Sequence, residues 1–171
     1  MYVDNDPVVL THATALLASP MLASSPEGVV RYVEADLRNV AAVLAGSART
    51  LDHARPVALM LLGVLGYVDD LGAARSITSQ LMDALPAGSY LAIADGVATS
   101  EFLGRVQQRY NAHAATAYHL RKADQVASFF DGLDLVEPGV VPCPLWKPDV
   151  RDGSAAAAGQ AAAYCGVARK R

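Results

Sequence analysis

Aromatic residues are scarce in this chain of 171 residues, where one Trp, three Phe and seven Tyr make up 6%. The core must therefore come mainly from aliphatic side chains, and Ala, which dominates them, buries little area per residue. Only two cysteines occur, Cys143 and Cys165. They make neither a metal-ligand spacing nor a disulfide framework, and read as unpaired thiols in or near strands. Positive charge is short as well: the net charge is −3, and the only basic run is Arg169-Lys170-Arg171. That run reads as a solvated tail, so nucleic-acid binding is not expected as the main activity. The longest apolar stretch, Pro56 to Leu65, is strand-sized, far short of a membrane span. No basic leader followed by an apolar segment stands at the start, so no signal peptide is read and a cytoplasmic location is expected.

What is present suits a globular α/β protein. The chain is 53% hydrophobic and 18% charged, outside the range of disordered chains. Strand-like and helix-like patterns alternate, which predicts one domain over 1–171 built on a wound sheet. Met1 to Val3 is a short strand stopping at Asp4. Asp6 caps the next helix, Pro7 fits its first turn, and Val9, Ala13, Leu16 and Leu17 share a face. Ser24 to Gly28 is a turn, Val29 to Glu34 a second strand, and Asn39 caps a short helix that Gly46 ends. The unbroken run Pro56 to Leu65 suits a strand covered on both faces. Asp69 or Asp70 starts a helix carrying Ala74, Ile77, Leu81 and Leu85, followed by a strand over Tyr90 to Ala94. Ser100 caps a helix with Phe102, Val106 and Tyr110 on one side. A shorter helix spans Ala123 to Phe130. Leu133 to Val141 is a strand interrupted near Pro138, Asp152 to Ala163 a loop or weak helix, and Tyr164 to Ala168 a last, antiparallel strand.

Two carboxylates carry the chemical argument. Asp4 ends a strand just before a helix, where an ionised acceptor can take both hydroxyls of a ribose. Asp36 ends the following strand, and in a parallel sheet it shares the same carboxyl edge. There it can accept the exocyclic amine of an adenine while the Leu37 N–H meets a ring nitrogen, each bond adding roughly 0.5–1.5 kcal/mol. A plain turn residue is the competing role for each, and Asp4 alone serves nicotinamide and S-adenosylmethionine sites equally. His12, His53, His113 and His119 are too scattered for a metal set. Asp69-Asp70 reads most simply as an N-cap pair, and Trp146 as packing over the sheet edge or covering a substrate mouth.

Six segments occur in order: Tyr2-Val3-Asp4-Asn5-Asp6-Pro7-Val8-Val9-Leu10, Ala35-Asp36-Leu37-Arg38, Arg55-Pro56-Val57-Ala58-Leu59, Leu85-Pro86-Ala87-Gly88-Ser89-Tyr90-Leu91, Phe129-Phe130-Asp131-Gly132-Leu133 and Glu137-Pro138-Gly139-Val140-Val141. In series they resemble the bacterial S-adenosyl methyltransferase family, from Met1 to about Pro148 and again over Tyr164 to Lys170. The resemblance implies a Rossmann-like class I methyltransferase sheet of seven strands, mostly parallel with an antiparallel last strand. It implies S-adenosylmethionine as cofactor and a small-molecule methyl acceptor. Asp4 would contact the ribose, Asp36 and Leu37 the adenine, and Asn5 would line the pocket. Gly63, opening the loop to Tyr67, would approach the sulfonium side.

Two departures accompany the resemblance. Family members usually carry, before the segment matching Tyr2, a helical region and a strand ending in an Asp-Ile-Gly-x-Gly-like loop. This sequence holds none of it and reads as truncated at the N-terminus, lacking the first strand. That strand is central in the family, so its absence predicts unpaired sheet edges, a route to homo-oligomers. The family also often has a His after the fourth strand, where this chain has Leu65-Gly66-Tyr67. Three readings stay open: an S-adenosylmethionine-dependent methyltransferase without an assigned base, a degenerate and inactive member, and a nicotinamide-dependent oxidoreductase, which the last strand and the six segments disfavour.

Overall fold

A computed structural model describes residues 1–17, 29–148 and 161–171. These fall into two compact units, Met1–Ala54 and Arg55–Arg171. The turn read at Ser24 to Gly28, and residues 152–160 of the loop or weak helix, lie outside the described residues.

The first unit alternates β1 (Tyr2–Asp4), α1 (Pro7–Leu17), β2 (Tyr32–Glu34) and α2 (Val40–Ser47). The two strands pair in parallel, Tyr2 opposite Tyr32 and Asp4 opposite Glu34. The Tyr2 and Tyr32 rings stack with centroids 5.5 Å apart. The second strand is shorter than the apolar pattern from Val29 suggests, because its three-residue partner gives the ladder nothing further to bond. Val29 and Val30 are accordingly exposed. Asp6 starts α1 by accepting the Val8 N–H at 2.8 Å. Of the expected apolar face of α1, Val9 is exposed and Ala13 half-buried, and the side chains of Leu16 and Leu17 lie outside the described residues. Asn39 caps α2 by accepting the Ala42 N–H at 3.1 Å. Gly46 does not end that helix. It lets α2 lie close against β2, since a Cβ there would sit 2.5 Å from Val33 Cγ1.

The second unit holds β3 (Ala58–Leu62), α3 (Leu71–Asp83), β4 (Tyr90–Gly96), α4 (Glu101–Asn111), α5 (Ala123–Ala127), β5 (Asp134–Leu135), β6 (Val141–Pro142) and β7 (Ala163–Arg169). Sheet order is β3-β4-β7-β5, with β6 also on β7. The β3–β4 pair is parallel, and β7 runs antiparallel to β4 from Tyr90 opposite Arg169 to Gly96 opposite Ala163. Ala74, Ile77 and Leu81 of α3 bury their side chains with Leu85, Leu91, Ile93, Val126, Phe129 and Phe130. Each large aliphatic side chain among them contributes about 1.5–3 kcal/mol.

Two expectations need correction here, at β3 and at the C-terminus. The apolar strand is not covered on both faces: Leu61 is buried, whereas Met60 is 61% and Leu62 53% exposed. Successive side chains point to opposite faces, and only one face of β3 meets a layer of core. Phe102, Val106 and Tyr110 do share one side of α4, capped by Ser100, but all three are exposed. The basic C-terminus is no solvated tail. Lys170 Nζ donates to the carbonyls of Met82, Asp83 and Leu85 at 2.9, 3.2 and 2.7 Å, satisfying the end of α3. Arg171 Nε donates to Asp134 at 2.7 Å.

Candidate functional site

In the first unit Asp4 closes β1, and Asp36 stands two residues past the end of the parallel β2. Both leave at the carboxyl end of one strand pair. Asp4 is half-buried and its Oδ1 accepts the Asp6 N–H at 2.9 Å. Asp36 Oδ1 accepts the Arg38 N–H at 2.8 Å and its Oδ2 pairs with Arg38 Nη1 at 2.9 Å. These bonds are local turns that leave each carboxylate further lone pairs, an acceptor set suited to sugar hydroxyls and an exocyclic amine. Asn5 is exposed and Leu37 half-buried on the same rim.

Gly63 belongs to the second unit, at the carboxyl end of β3, where its N–H donates to Ala94 O at 2.7 Å. Its φ of +69° is left-handed, and a Cβ would meet nothing within 4 Å. Glycine is required there for backbone conformation rather than for space.

The second unit also gathers residues that sequence reasoning missed. The loop 118–121 runs across the carboxyl ends of β3 and β4: His119 N–H donates to Gly66 O at 2.8 Å and Arg121 N–H to Gly96 O at 3.2 Å. Asn111, the last residue of α4, clamps it, accepting the Tyr118 N–H at 3.0 Å and donating to Tyr118 O at 2.9 Å. Tyr118 hydroxyl accepts the Gly96 N–H at 3.0 Å and donates to Asp95 Oδ1. Its ring meets Tyr67 edge-on, with centroids 5.0 Å apart.

Asp95 is only 2% exposed, and its Oδ2 is buried with no hydrogen-bond partner among the described residues. Burial pushes its carboxyl above the usual range, against the opposing pull of the Gly96 N–H, the Arg121 charge and the N–H groups of Gly66 and Leu65. Arg121, 4% exposed, donates to Leu65 O at 2.8 Å and Val68 O at 2.5 Å. It therefore braces the 3₁₀ turn Leu65–Tyr67 from below. The Asp69-Asp70 pair divides its work: Asp70 caps α3 through the Ala73 N–H at 2.7 Å, while Asp69 Oδ1 lies 3.3 Å from His119 Nδ1.

Gly66 now has a physical reason. A Cβ at this position would overlap the Tyr118 ring, and one at Gly96 would meet Leu120 at 2.7 Å. The absence of a side chain at position 66 makes room for the Tyr118 ring. Asp95 could have been found by the logic that found Asp4, as an acid closing an apolar strand. Tyr118 and Arg121 lie in a loop without periodicity and left no such signal.

The remaining candidates are structural. His53 Nε2 bonds Ser47 Oγ at 2.9 Å, His113 Nδ1 meets Arg109 O at 3.0 Å, and His12 is exposed. Trp146 is half-buried, with Lys147 Nζ 5.9 Å from its ring centroid. Cys143 and Cys165 are free, and burial together with Cys143 pushes the Cys165 thiol up to about 12. Among the described residues no three His, Cys, Asp or Glu side chains gather to hold a metal ion, and no helix is long and apolar enough to cross a membrane.

The fold is the Rossmann-like α/β fold of methyltransferases. N-methyltransferase NodS from Bradyrhizobium japonicum, solved with S-adenosyl-L-homocysteine, shares it at a TM-score of 0.53 and 14% identity, over 98% of this chain and 64% of that one. The chain belongs to the S-adenosyl methyltransferase family, whose model matches residues 1–171. A DUF574 family protein from Streptomyces avermitilis is 41% identical with a TM-score of 0.87, over 99% of this chain and 64% of that one. A provisionally assigned methyltransferase from Thermobifida fusca is 32% identical with a TM-score of 0.82, over 99% of this chain and 62% of that one. The chain thus spans less than two thirds of the length of either relative. No curated protein matches it.

Proposed function

We propose that this chain is the working core of an S-adenosylmethionine-dependent methyltransferase acting on a small-molecule acceptor. The observation that carries the reading is the shared rim of Asp4 and Asp36 at the carboxyl end of the parallel pair β1–β2. Asp4 accepts the ribose hydroxyls, Asp36 and the Leu37 N–H take the adenine edge, and Asn5 lines the pocket beside them. Gly63, in the second unit, is the residue that the family resemblance assigns to the methyl-donor end. S-adenosylmethionine supplies the methyl group as an activated sulfonium, so the protein's own task is to orient donor and acceptor and to exclude water. The family model runs unbroken over residues 1–171, which supports one methyltransferase-like domain. A cytoplasmic location suits such an enzyme. β3 ends the sheet path of its unit with exposed Met60 and Leu62, which supports association of copies through that strand.

Titration calorimetry with S-adenosylhomocysteine tests the reading. Binding is expected, and Asp4→Ala should weaken it by about 1.5–3 kcal/mol, roughly ten- to a hundredfold. Absence of binding, or binding indifferent to Asp4→Ala, overturns the assignment and favours an inactive member of the family.

A further inference from the structure

The chain's two cysteines, which the cofactor reading leaves unused, come together beside the last strand. We propose that Cys143 and Cys165 form an oxidation site, a thiol pair that closes reversibly to an intramolecular disulfide on meeting a small-molecule disulfide. Both residues belong to the second unit, and the site stands whether or not the methyltransferase reading holds.

The placement follows from strand register. β6 and β7 run antiparallel, with Val141 opposite Cys165 and Pro142 opposite Tyr164. Directly opposite residues share a face of the sheet, and successive residues alternate between faces. Pro142 still belongs to β6, so the alternation returns Cys143 to the face of Val141 and sets it diagonal to Cys165. There the chain enters the 3₁₀ turn Cys143–Leu145. The two sulfurs are neighbours, since Cys143 acts on the Cys165 thiol both through its charge and as a hydrogen-bond partner. Each cysteine is half-buried and therefore partly open to a small oxidant. β6 is only two residues long, and one of them is a proline that cannot donate to the ladder. A bond from Cys143 to Cys165 would fix this short strand and its turn to β7, the strand that also pairs with β4 and β5.

The order of events follows from the two environments. Burial first, and then Cys143, hold the Cys165 thiol up to about 12, so Cys165 stays protonated while Cys143 is free. Cys143 is therefore the thiol that reacts first. As a thiolate it attacks one sulfur of glutathione disulfide. That sulfur–sulfur bond breaks, and one glutathione leaves with the electron pair and takes a proton from water. Within the mixed disulfide Cys143 carries no charge, and one cause of the raised Cys165 thiol is gone. Cys165 then gives its proton to water and attacks Cys143 Sγ, expelling the second glutathione. Two cysteine thiols have been oxidised and one glutathione disulfide reduced to two thiols. Excess dithiothreitol reverses the sequence.

The test treats the full chain with glutathione disulfide, then denatures it, alkylates it with iodoacetamide and weighs it intact. Both cysteines should escape alkylation together, the monomer should lose the mass of two hydrogens, and peptide mapping should join Cys143 to Cys165. Tm should rise by about 5–10 °C, because the bond closes the loop from 143 to 165 in the unfolded chain, and dithiothreitol should restore the starting value. Trp146, the chain's only tryptophan, donates its N–H to Cys143 O at 3.1 Å, so its fluorescence should change as the bond closes and recover on reduction. Cys165→Ala should stop at a glutathione adduct on Cys143 without the gain in Tm, and Cys143→Ala should leave Cys165 unreacted. A wild-type chain that stops at the same adduct with Cys165 still alkylated overturns the proposal. So does a disulfide joining two copies, or a pair of thiols that glutathione disulfide leaves untouched.

Discussion

Two carboxyl-end rims in this molecule carry aspartates at equivalent places on their strands, and they treat them in opposite ways. Among the described residues Asp4 and Asp36, in the first unit, are bonded by N–H groups two residues away and by the neighbouring Arg38. Asp95, in the second, is buried under Tyr118, Arg121 and the turn Leu65–Tyr67, groups 23 to 30 positions distant in sequence. A carboxylate tied locally keeps lone pairs for a ligand. One enclosed by tertiary contacts becomes a brace, and it fixes the turn on which His119 and Tyr67 depend.

The largest expected effect comes from breaking the brace. Arg121→Met removes the cation beside buried Asp95 and strands the carbonyls of Leu65 and Val68. Urea denaturation should show a loss of about 3–5 kcal/mol. A loss below about 1 kcal/mol would mean that Asp95 is no more constrained than Asp4. Next is Gly66→Ala, whose methyl group would overlap the Tyr118 ring. It should cost about 1–3 kcal/mol, and a Tyr118→Ser background should relieve most of that.

A pH series sharpens the contrast further. Burial raises the Asp95 midpoint, so between the unfolded carboxylate value of about 3.9 and that raised midpoint the folded state holds a proton the unfolded state has lost. The resulting stabilisation is complete at low pH and declines as pH rises through this window. Asp95→Asn should lack the decline, as Tm measured from acid to neutral pH will show. The smallest effect belongs to the open rim. Arg38→Ala breaks an ion pair whose side chains are 52% and 39% exposed, and stability should change by less than about 1 kcal/mol. Nucleoside affinity should not fall; a tenfold loss would make Arg38 rather than Asp36 the ligand.

Much of the fold was legible from local rules. The caps at Asp6, Asn39, Asp70 and Ser100, the helical spacing of α3 and the antiparallel last strand all follow from side chains acting on their own neighbourhood. The failures are places where a distant partner decides. Gly46 reads as a helix stop but serves helix–strand contact at Val33, and Lys170 reads as tail but caps α3. The exposed face of β3 and the bare stripe on α4 show the same limit, since apolar pattern reports what a segment can bury and not whether a neighbour arrives to cover it.

On its own, then, the order of residues determined the alternating α/β plan, the family, and the two acids that end the first two strands, because each depends on local geometry or on short motifs. Only the tertiary structure decided that Tyr118, His119 and Arg121 cross the ends of β3 and β4, that Gly66 makes room for them, and that Asp95 is enclosed. The reason is that a buried polar group takes its partners from whatever the fold brings within about 3 Å, and that distance has no counterpart along the chain.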